Sequence, residues 1–574
     1  TTGYLMVLFI SIGLIFLSNE VKAGNNYYFS SSTGDDNRTN IQAQNPSTPW
    51  KTLSKLNSYF SSLLPGDSVL LKKGDIFYGS IRINKSGTAT QPIVIGAYGS
   101  GDKPIITGLK EVTGWTDVGG NIWESSVTVC KSTLNLVTID GKIAQIGRYP
   151  NAGTFLTYES FSGTASITDN QLSGTPNWTG AEVYIRNNGY GGQRRTITNH
   201  VGTTITYAGG NNYDMKSGFG YFIQNDVRTL DADKEWYFNP TTKKIRMYFS
   251  DNNPALHSVR ASIYDTIILS NDRNYITLVN LQLQGGNEAN LDLNGTSTGC
   301  MVLYCDLNYS GTFGAYIGNV SNFLFSHNTV SNSLSKGILV GNCTNPVFEF
   351  NTISKTGMFI GMNRLYYPYT GFETNGGNGM IIRYNTVDSS GYHGIFPRGS
   401  NNIIEKNLVT NFGLTLDDCG GIYIPTEQTG NKVLNNIILY GIGNSSGTNY
   451  TDSHAEGIYL DEVSANTYLE GNTIAHCGSS GIRYHNAYNI TARNNTMYDN
   501  QYNVHIIKSN SNSSYSRNLT FRGNKMVAKT ATQYTFRIYN YISDNPLLFG
   551  TADSNYYCRP IAEGSTIQTR NVST

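Results

Sequence analysis

The sequence predicts an all-β protein whose main body is a right-handed parallel β-helix, a solenoid of stacked coils. Three observations predict it. A short asparagine motif recurs along the second half of the chain, and a glycine motif recurs at a nearly fixed distance before it. The 574 residues include 61 Gly and 40 Tyr but are only 14% charged, a composition typical of turn-rich β structure. The length is ample for one long solenoid with a continuous core.

The asparagine motif is an Asn followed within two residues by an aliphatic side chain. Its members are Asn328-Thr329-Val330, Asn351-Thr352-Ile353, Asn385-Thr386-Val387, Asn407-Leu408-Val409, Asn436-Ile437-Ile438, Asn472-Thr473-Ile474, Asn495-Thr496-Met497 and Asn524-Lys525-Met526. The intervals are 23, 34, 22, 29, 36, 23 and 29 residues, so a unit of 22 or 23 residues repeats and sometimes carries an insertion. Asn tolerates a left-handed corner, and stacked Asn amides can hydrogen-bond between coils.

The glycine motif shows where the insertions enter. It comprises Gly337-Ile338, Gly394-Ile395, Gly421-Ile422, Gly457-Ile458 and Gly481-Ile482. Each glycine precedes the next motif asparagine by 13 to 15 residues, whereas the distance from an asparagine to the next glycine varies from 9 to 28, with Gly379 taken as the glycine after Asn351. Insertions therefore enter at one corner, and their loops collect along one side. Long loops on a rigid scaffold commonly carry function, so this side is where a site is expected.

The elements before the solenoid can be read in chain order. Residues 4–17 form an apolar stretch of 14 residues followed by Val21-Lys22-Ala23, which is short for a membrane span and predicts a signal peptide over 1–23. The protein is therefore expected to be secreted or periplasmic, with the cell surface as a further location and no stable membrane insertion. Residues 24–109 contain an amphipathic helix after Pro49, which would cover the open end of the solenoid, and then the first coils.

The remaining boundaries follow from changes in period. Residues 110–255 lose the short repeat and hold Trp115, Trp123, Trp178 and Trp236, which indicates a β-rich insertion beside the solenoid. The main β-helix is expected over 256–543. Residues 544–574 form a tail without the composition of an end cap, so the chain is expected to continue beyond them.

Composition also narrows the partners. The net charge is +1 and no basic run is present, which argues against nucleic acid. Abundant Tyr and Trp suit the apolar faces of sugar rings, so an oligosaccharide or polysaccharide is the expected partner, bound by a monomer. The seven cysteines show no CxxC or zinc spacing, and neither a structural metal nor a cofactor is expected.

Strand alternation predicts which side chains face the loop-bearing side. With each motif glycine as position zero, the next residue should point inward and positions plus two and plus four outward. The outward columns are Phe396, Tyr423, Tyr459 and Arg483 at plus two, and Arg398, Pro425, Asp461 and His485 at plus four. His393, Asp417, Asp418, His454 and Glu456 flank the start of the same strands. This face thus gathers acids, histidines and arginines in a protein that is otherwise poor in charge.

Two carboxylates on one face match the needs of glycosidic bond cleavage, in which one group protonates the leaving oxygen and the other attacks carbon or activates water. Asp418 and Asp461 lie one coil apart, about 5–10 Å, which spans both the retaining and the inverting ranges; they are the expected catalytic pair. The expected substrate-binding residues are His393, Arg398, Asp417, Tyr423, His454, Glu456, Tyr459, Arg483 and His485. Each acid also has a structural interpretation: Asp418 as a turn cap, Asp461 as the ion-pair partner of His485 or Arg398.

The same residues carry a family resemblance. Asp418-Cys419-Gly420-Gly421-Ile422-Tyr423 and Glu456-Gly457-Ile458-Tyr459-Leu460-Asp461 resemble the D-x-G-G-I-Y and x-G-I-Y-L-D motifs of secreted bacterial β-helix glycoside hydrolases, a group that includes α-L-fucosidases and xylanases. Further likeness lies in Gly147-Arg148-Tyr149-Pro150-Asn151 and Glu235-Trp236-Tyr237. The resemblance implies Asp418 and Asp461 as the catalytic pair. The chain departs from the motifs at Glu456, where His is usual, and at Glu462.

Two other functions fit the same scaffold. A polysaccharide lyase or uronan epimerase would use cations and a proton acceptor, for which Arg398, Arg483, His485 and Lys508 are candidates. A non-catalytic carbohydrate-binding solenoid would need no paired acids. A metal-dependent reaction is not expected, because no outward column stacks three acids and calcium takes six to eight oxygen ligands.

Overall fold

The structure is a computed structural model that describes residues 24–126, 132–210, 213–365, 369–425, 428–562 and 564–571. The predicted parallel β-helix is confirmed: each coil adds one strand to each of three stacks of parallel strands. The predicted signal peptide, residues 1–23, lies outside the described residues. Among the described residues, no helix is both long and apolar enough to cross a membrane.

The first stack, called sheet 1, contains the strands that precede each motif asparagine. It runs in the order Asn26–Phe29, Ser68–Lys72, Ile93–Tyr98, Ile276–Val279, Met301–Leu303, Leu324–Ser326, Val347–Glu349, Ile381–Arg383, Ile403–Glu405, Lys432–Leu434, Tyr468–Glu470, Thr491–Arg493, Leu519–Arg522 and Gly550–Asp553.

The second stack, sheet 2, begins just after the asparagines. Its strands are Ile76–Tyr78, Ile105–Thr107, the first part of Gln282–Asn294, Asp306–Ser310, Thr329–Ser333, Thr352–Thr356, Thr386–Ser390, Leu408–Phe412, Ile437–Gly441, Thr473–Ala475, Thr496–Tyr498, Lys525–Val527 and Tyr556–Cys558.

The third stack, called the site sheet, carries the glycine motif. Its strands are Ile81–Ile83, Tyr264–Asn271, the last part of Gln282–Asn294, Phe313–Gly318, Lys336–Gly341, Phe372–Asn375, Ile395–Pro397, Cys419–Ile424, Ala455–Leu460, Ser480–His485, Tyr502–Lys508, Tyr534–Asn540 and Ile567–Asn571. Parallel pairing therefore continues to Asn571, well past residue 543.

The predicted capping helix is Leu53–Tyr59, extended by the 3-10 turn Phe60–Ser62. Thr52 caps its amino end by accepting a hydrogen bond from the Lys55 amide at 3.1 Å. Further along the same helix, the Asn57 side chain accepts a hydrogen bond from the Arg82 amide at 2.9 Å and donates one to the Ser80 carbonyl at 2.8 Å. These bonds satisfy the otherwise open edge of the first strand of the site sheet, so the helix closes this end of the solenoid.

The motif asparagines form a continuous buried ladder. Asn472 is typical: its side-chain amide donates to the Val433 carbonyl of the preceding coil and to Asn495 Oδ1 of the next, both at 2.9 Å, and its backbone N–H donates to the same Asn495 oxygen at 3.0 Å. The left-handed corner, however, is not at the asparagine. It is at the residue before it: His327, Phe350, Tyr384, Lys406, Asn435, Gly471, Asn494 and Gly523 all have φ between 53° and 68°.

The glycines of the second motif lie where the coil bends. A methyl group added at Gly457 would lie 2.2 Å from Ile474 Cγ2 in the interior and 2.5 Å from the Gly481 carbonyl oxygen. The column includes Gly371 rather than Gly379, because Gly371 lies directly before Phe372, which pairs with Ile395. Since the glycine and the residue after it both face inward, the outer surface is concave here, and residues on the two sides of the bend converge.

The predicted β-rich insertion is made of antiparallel sheets. Its strands are Leu109–Glu111, Thr116–Asp117, Ile122–Glu124, Val137–Ile139, Lys142–Ile143, Arg148–Tyr149, Leu156–Thr157, Ser160–Ser162, Ser166–Thr168, Glu182–Arg186, Gly192–Val201, Thr204–Tyr207, Gly220–Gln224, Trp236–Phe238, Ile245–Tyr248 and Val259–Ser262. It has two hydrophobic clusters, one of which also includes Leu334 and Met362 of the solenoid. It also touches the solenoid loops: the Asp417 amide donates to the Gly189 carbonyl at 2.9 Å. This contact brings the insertion to the predicted site.

Candidate active site

A cavity of about 460 Å³ lies on the concave side of the site sheet, under the insertion. It is lined by Tyr190, Tyr213, Tyr392, His393, Phe396, Arg398, Asp418, Tyr423, Pro425, Tyr459, Asp461, Glu462, Arg483 and His485. The predicted acids Asp418 and Asp461 therefore share one cavity. Six of the nine predicted substrate-binding side chains, His393, Arg398, Tyr423, Tyr459, Arg483 and His485, line it with them.

Asp461 is held as a carboxylate by three hydrogen-bond contacts. The Tyr423 hydroxyl donates to its Oδ2 at 2.8 Å, and its Oδ1 lies 2.8 Å from His485 Nδ1 and accepts from the Glu462 amide at 3.0 Å. Burial acts to raise the pKa of Asp461, but the hydrogen bond and charge of His485, followed by the Tyr423 hydrogen bond, lower it below the ordinary aspartate value. Asp461 is therefore ionised near neutral pH.

Asp418 has the opposite surroundings. It lies in a left-handed turn, with φ of 53°, and its backbone carbonyl accepts a hydrogen bond from the Tyr392 hydroxyl at 3.0 Å. Its carboxylate is 4.0 Å from Arg483, with 35% of the side chain accessible from the cavity. Burial raises the pKa of Asp418 to about 6, a rise that Arg483 reduces and Asp461 increases. Asp418 therefore keeps a proton at a pH where Asp461 has lost its own.

Glu456 does not face the cavity, contrary to the prediction that it binds substrate. Its side chain is fully buried, with Oε1 2.8 Å from Arg483 and Oε2 accepting from the Ser480 amide at 2.6 Å. The Arg483 guanidinium also lies 4.8 Å from the centre of the Tyr459 ring. Glu456 thus neutralises and orients Arg483, which in turn faces Asp418.

The contacts of Asp417 and His454 also differ from the prediction that both residues bind substrate. Asp417 is fully buried and accepts from the His454 amide at 2.7 Å, and its other oxygen is 3.3 Å from His454 Nδ1. The hydrogen bond to Asp417 raises the pKa of His454. Asp417 therefore holds the loop before the strand Ala455–Leu460 instead of contacting substrate. His454 lines a neighbouring cavity rather than the one that contains the two aspartates.

Aromatic side chains form one wall of the cavity. The His393 ring stacks on Tyr423 with centroids 4.2 Å apart and lies edge-on to Phe396 at 4.9 Å. Its Nδ1 accepts a hydrogen bond from the Gly420 amide at 3.1 Å. Burial, then the charge of Arg398, lowers the pKa of His393 well below its usual value, so this imidazole is neutral. Arg398 lies over the Phe396 ring at 4.4 Å and is the cation at the opposite end from Arg483.

Tyr190 and Tyr213 were missed by the sequence prediction. Both belong to the insertion, and their rings meet edge to face with centroids 5.4 Å apart. Both line the cavity, so the insertion contributes part of its wall. No period links them to the solenoid columns; the one available signal was that the insertion had to pack beside the loop-bearing face.

Within the part of the chain that the structure describes, one group of side chains could hold a cation. Ligand atoms of Asp461, Glu462 and His485 all lie within 4.8 Å of one another. Both ring nitrogens of His485 are already engaged, however, with Asp461 at 2.8 Å and with Ser509 Oγ at 3.0 Å. A metal ion would have to displace the contacts that fix Asp461, and three protein ligands are few for calcium.

Comparisons with known proteins agree with this fold. Residues 265–437 and 370–545 match the family model described as "Right handed beta helix region". A lacto-N-biosidase of Bifidobacterium longum subsp. longum is 34% identical over 167 residues, which cover 28% of this chain and 9% of that protein. The chain thus spans less than a tenth of the length of the curated relative it matches.

Solved structures give the same picture at lower identity. A protein titled "Glycoside hydrolase" superposes with a TM-score of 0.64 at 13% identity, covering 94% of this chain and 97% of that one. A lacto-N-biosidase from Eubacterium ramulus gives a TM-score of 0.36 at 14% identity, over 83% of this chain and 64% of that one. At such identities the likeness shows the fold alone. The neighbours thus include glycoside hydrolases, while the narrower resemblance to α-L-fucosidases and xylanases is not confirmed.

Proposed function

We propose that the protein is a secreted glycoside hydrolase that cleaves oligosaccharides or polysaccharides with Asp418 as the general acid and Asp461 as the ionised partner. The observation that carries the proposal is geometric: two carboxyl groups share one cavity in different surroundings, Asp461 bonded to Tyr423 and His485, and Asp418 4.0 Å from Arg483. Their pKa values shift in opposite directions, as these surroundings require. Pairs of acids whose surroundings separate their pKa values are characteristic of acid–base catalysis. The partial match to a lacto-N-biosidase supports the same reaction class.

The chemistry follows from the two protonation states. Protonated Asp418 donates its proton to the glycosidic oxygen, so that the leaving sugar departs as a neutral alcohol. Ionised Asp461 either attacks the anomeric carbon or takes a proton from the attacking water, and both routes pass through a transition state with positive charge on the sugar. His485 and Tyr423 fix the Asp461 carboxylate in place. Tyr423, which is half-buried, offers apolar surface to the sugar ring, whereas Tyr459 and Phe396 line the cavity but are almost fully buried.

The same contacts argue against a lyase or epimerase. Of its four candidate residues, Lys508 is fully buried and donates to the carbonyls of Asn512 and Tyr515, at 2.6 and 3.0 Å. Arg483 is paired with Glu456, and His485 with Asp461. Neutralising a uronate needs a positive charge that is free to meet it, whereas these two residues already serve carboxylates. A purely binding surface, in turn, gives no reason for acids with separated pKa values.

The test is a screen of the purified protein against plant and algal polysaccharides and aryl glycosides, each with and without chelator. We expect new reducing ends without an unsaturated, ultraviolet-absorbing product, and the same rate in chelator. An unsaturated product with strict calcium dependence would replace the proposal with the lyase function, and Arg398 and His485 would be the first residues to test. Binding without any product would favour the non-catalytic solenoid.

A further inference from the structure

A second cavity of about 560 Å³ adjoins the one that contains the aspartates. The two cavities share one residue, Arg483. Beyond Arg483 the second cavity is lined by His454, Tyr502, His505, Tyr539 and Tyr541, among others. Nothing in the proposed cleavage step uses these side chains.

The strand register makes the second cavity a continuation of the first. Arg483 pairs in register with His505, and His505 with Arg537 on the next strand. The column Tyr423, Tyr459 and Arg483 therefore extends for two more strands at a spacing of about 4.8 Å. A sugar chain that lies across the strands would pass from the aspartates over Arg483 and onto this surface.

His505 shows that the second cavity is built for a polar ligand. Only 5% of its surface is exposed, and its Nδ1 lies 3.3 Å from Ser480 Oγ. Its Nε2 is buried and has no hydrogen-bond partner in the described part of the chain. A buried ring nitrogen without a partner carries a desolvation cost, which a ligand hydroxyl would remove.

The rest of the lining suits a neutral sugar. Tyr539 meets His505 edge to face at 4.9 Å, and Tyr541, 39% exposed, meets Tyr539 at 6.3 Å. The positive charge of Arg483 is already balanced by buried Glu456 at 2.8 Å. The lining also holds His454, which lies 3.3 Å from Asp417, and the carboxyl group of Asp452. Its cationic side chains thus already have carboxylate partners, and its aromatic rings with hydrogen-bonding edges fit the hydroxylated and apolar faces of an uncharged pyranose.

We propose that the second cavity is a further sugar-binding subsite. The preferred substrate would then be an uncharged oligosaccharide or polysaccharide of several sugar units, and not a single sugar linked to an arbitrary leaving group. This inference rests on the proposed hydrolase function. The bound sugar chain would lie across Arg483, with one sugar unit at the two aspartates and at least one more between His505 and Tyr541.

The test compares Tyr541→Ala with the unchanged protein on two substrates of the sugar identified by the screen. One is the single-sugar glycosyl fluoride, which cannot reach the second cavity. The other is the tetrasaccharide. We expect the ratio of kcat/KM for the tetrasaccharide to kcat/KM for the fluoride to fall at least about tenfold, a size typical of a lost aromatic contact. Tyr498→Ala is the matched control, since Tyr498 is 40% exposed but lies on sheet 2; there the ratio should not change.

A ratio unchanged in Tyr541→Ala would overturn the subsite, provided that the variant melts like the parent. If the unchanged protein hydrolyses nothing, calorimetric binding of xylotetraose, cellotetraose, mannotetraose and chitotetraose decides instead. Binding that Tyr541→Ala weakens at least about tenfold would support the subsite while the hydrolase proposal fails. If no tetrasaccharide binds, or Tyr541→Ala binds equally well, the subsite is rejected.

Discussion

Asp418→Asn and Asp461→Asn are each expected to lower kcat at least about 100-fold on the true substrate, the scale of a lost general acid or base. Neither exchange opens a cavity, because Asn has nearly the shape of Asp and both side chains face the pocket. Asp306→Asn is a suitable control: its side chain is 36% exposed, close to the 35% of Asp418, but it lies on sheet 2 and pairs with Lys103. Steady-state kinetics on variants with unchanged melting curves give the answer.

The two variants should differ on an activated substrate. A glycosyl fluoride or dinitrophenyl glycoside needs little protonation of its leaving group, so Asp418→Asn should recover much of its rate. Asp461→Asn should stay slow, because attack at carbon still needs its carboxylate. Near-normal turnover of an unactivated substrate by either variant would remove that residue from the catalytic pair, and recovery of Asp461→Asn instead would exchange the two roles.

Glu456→Gln is expected to destabilise the fold by about 3 kcal/mol, because it leaves the Arg483 charge buried without its 2.8 Å partner. The remaining contact of Arg483 with Asp418, at 4.0 Å, compensates only in part. Denaturant unfolding followed by fluorescence measures the loss. Glu405→Gln, on sheet 1, makes the same chemical change outside the site and should alter stability by less than about 0.5 kcal/mol.

An equal midpoint for Glu456→Gln and the parent would contradict the assigned role of Glu456. Asp418 should then be examined as the main partner of Arg483, since it is the other carboxylate near that guanidinium.

The central columns of the site could be predicted from the sequence because they depend on local rules. Strand alternation and coil stacking together place Tyr423, Tyr459, Arg483, Asp461 and His485 on one face, and all five line the cavity. The repeat supplies the register once the asparagines and glycines are aligned. No contact between distant segments has to be known.

The site predictions that were wrong concern contacts that these local rules do not determine. Glu456 and Asp417 are charged residues beside a loop, and their burial depends on partners 27 and 37 residues further along the chain, Arg483 and His454. Tyr190 and Tyr213 reach the cavity from an insertion that follows no repeat. The contacts of Tyr190 and Tyr213 depend on how the insertion packs against the solenoid. Those of Glu456 and Asp417 depend on which side chains pair between neighbouring coils, and neither period nor composition encodes that choice.

The sequence prediction assigned Gly379 instead of Gly371 to the glycine column for a different reason. The insertion after Asn351 brings several glycines close together, including Gly376, Gly377 and Gly379. The spacing to the next asparagine favours Gly371, which lies 14 residues before Asn385, and the pairing of Phe372 with Ile395 shows that this glycine lies at the bend. Gly371 is followed by an aromatic rather than an aliphatic residue, so the motif did not include it.

The pH dependence of kcat/KM tests most directly whether Asp418 and Asp461 work as a protonated and an ionised carboxyl group. Asp418 must hold its proton, so the rate should fall as the pH rises through about 6. Asp461 must be ionised, and since His485 and Tyr423 hold its pKa below the ordinary value, the acidic limb should lie below the usual aspartate range. Activity that is constant or rising from about pH 6 to about pH 8 would contradict the account, because Asp418 would then have lost the proton it is assigned to donate.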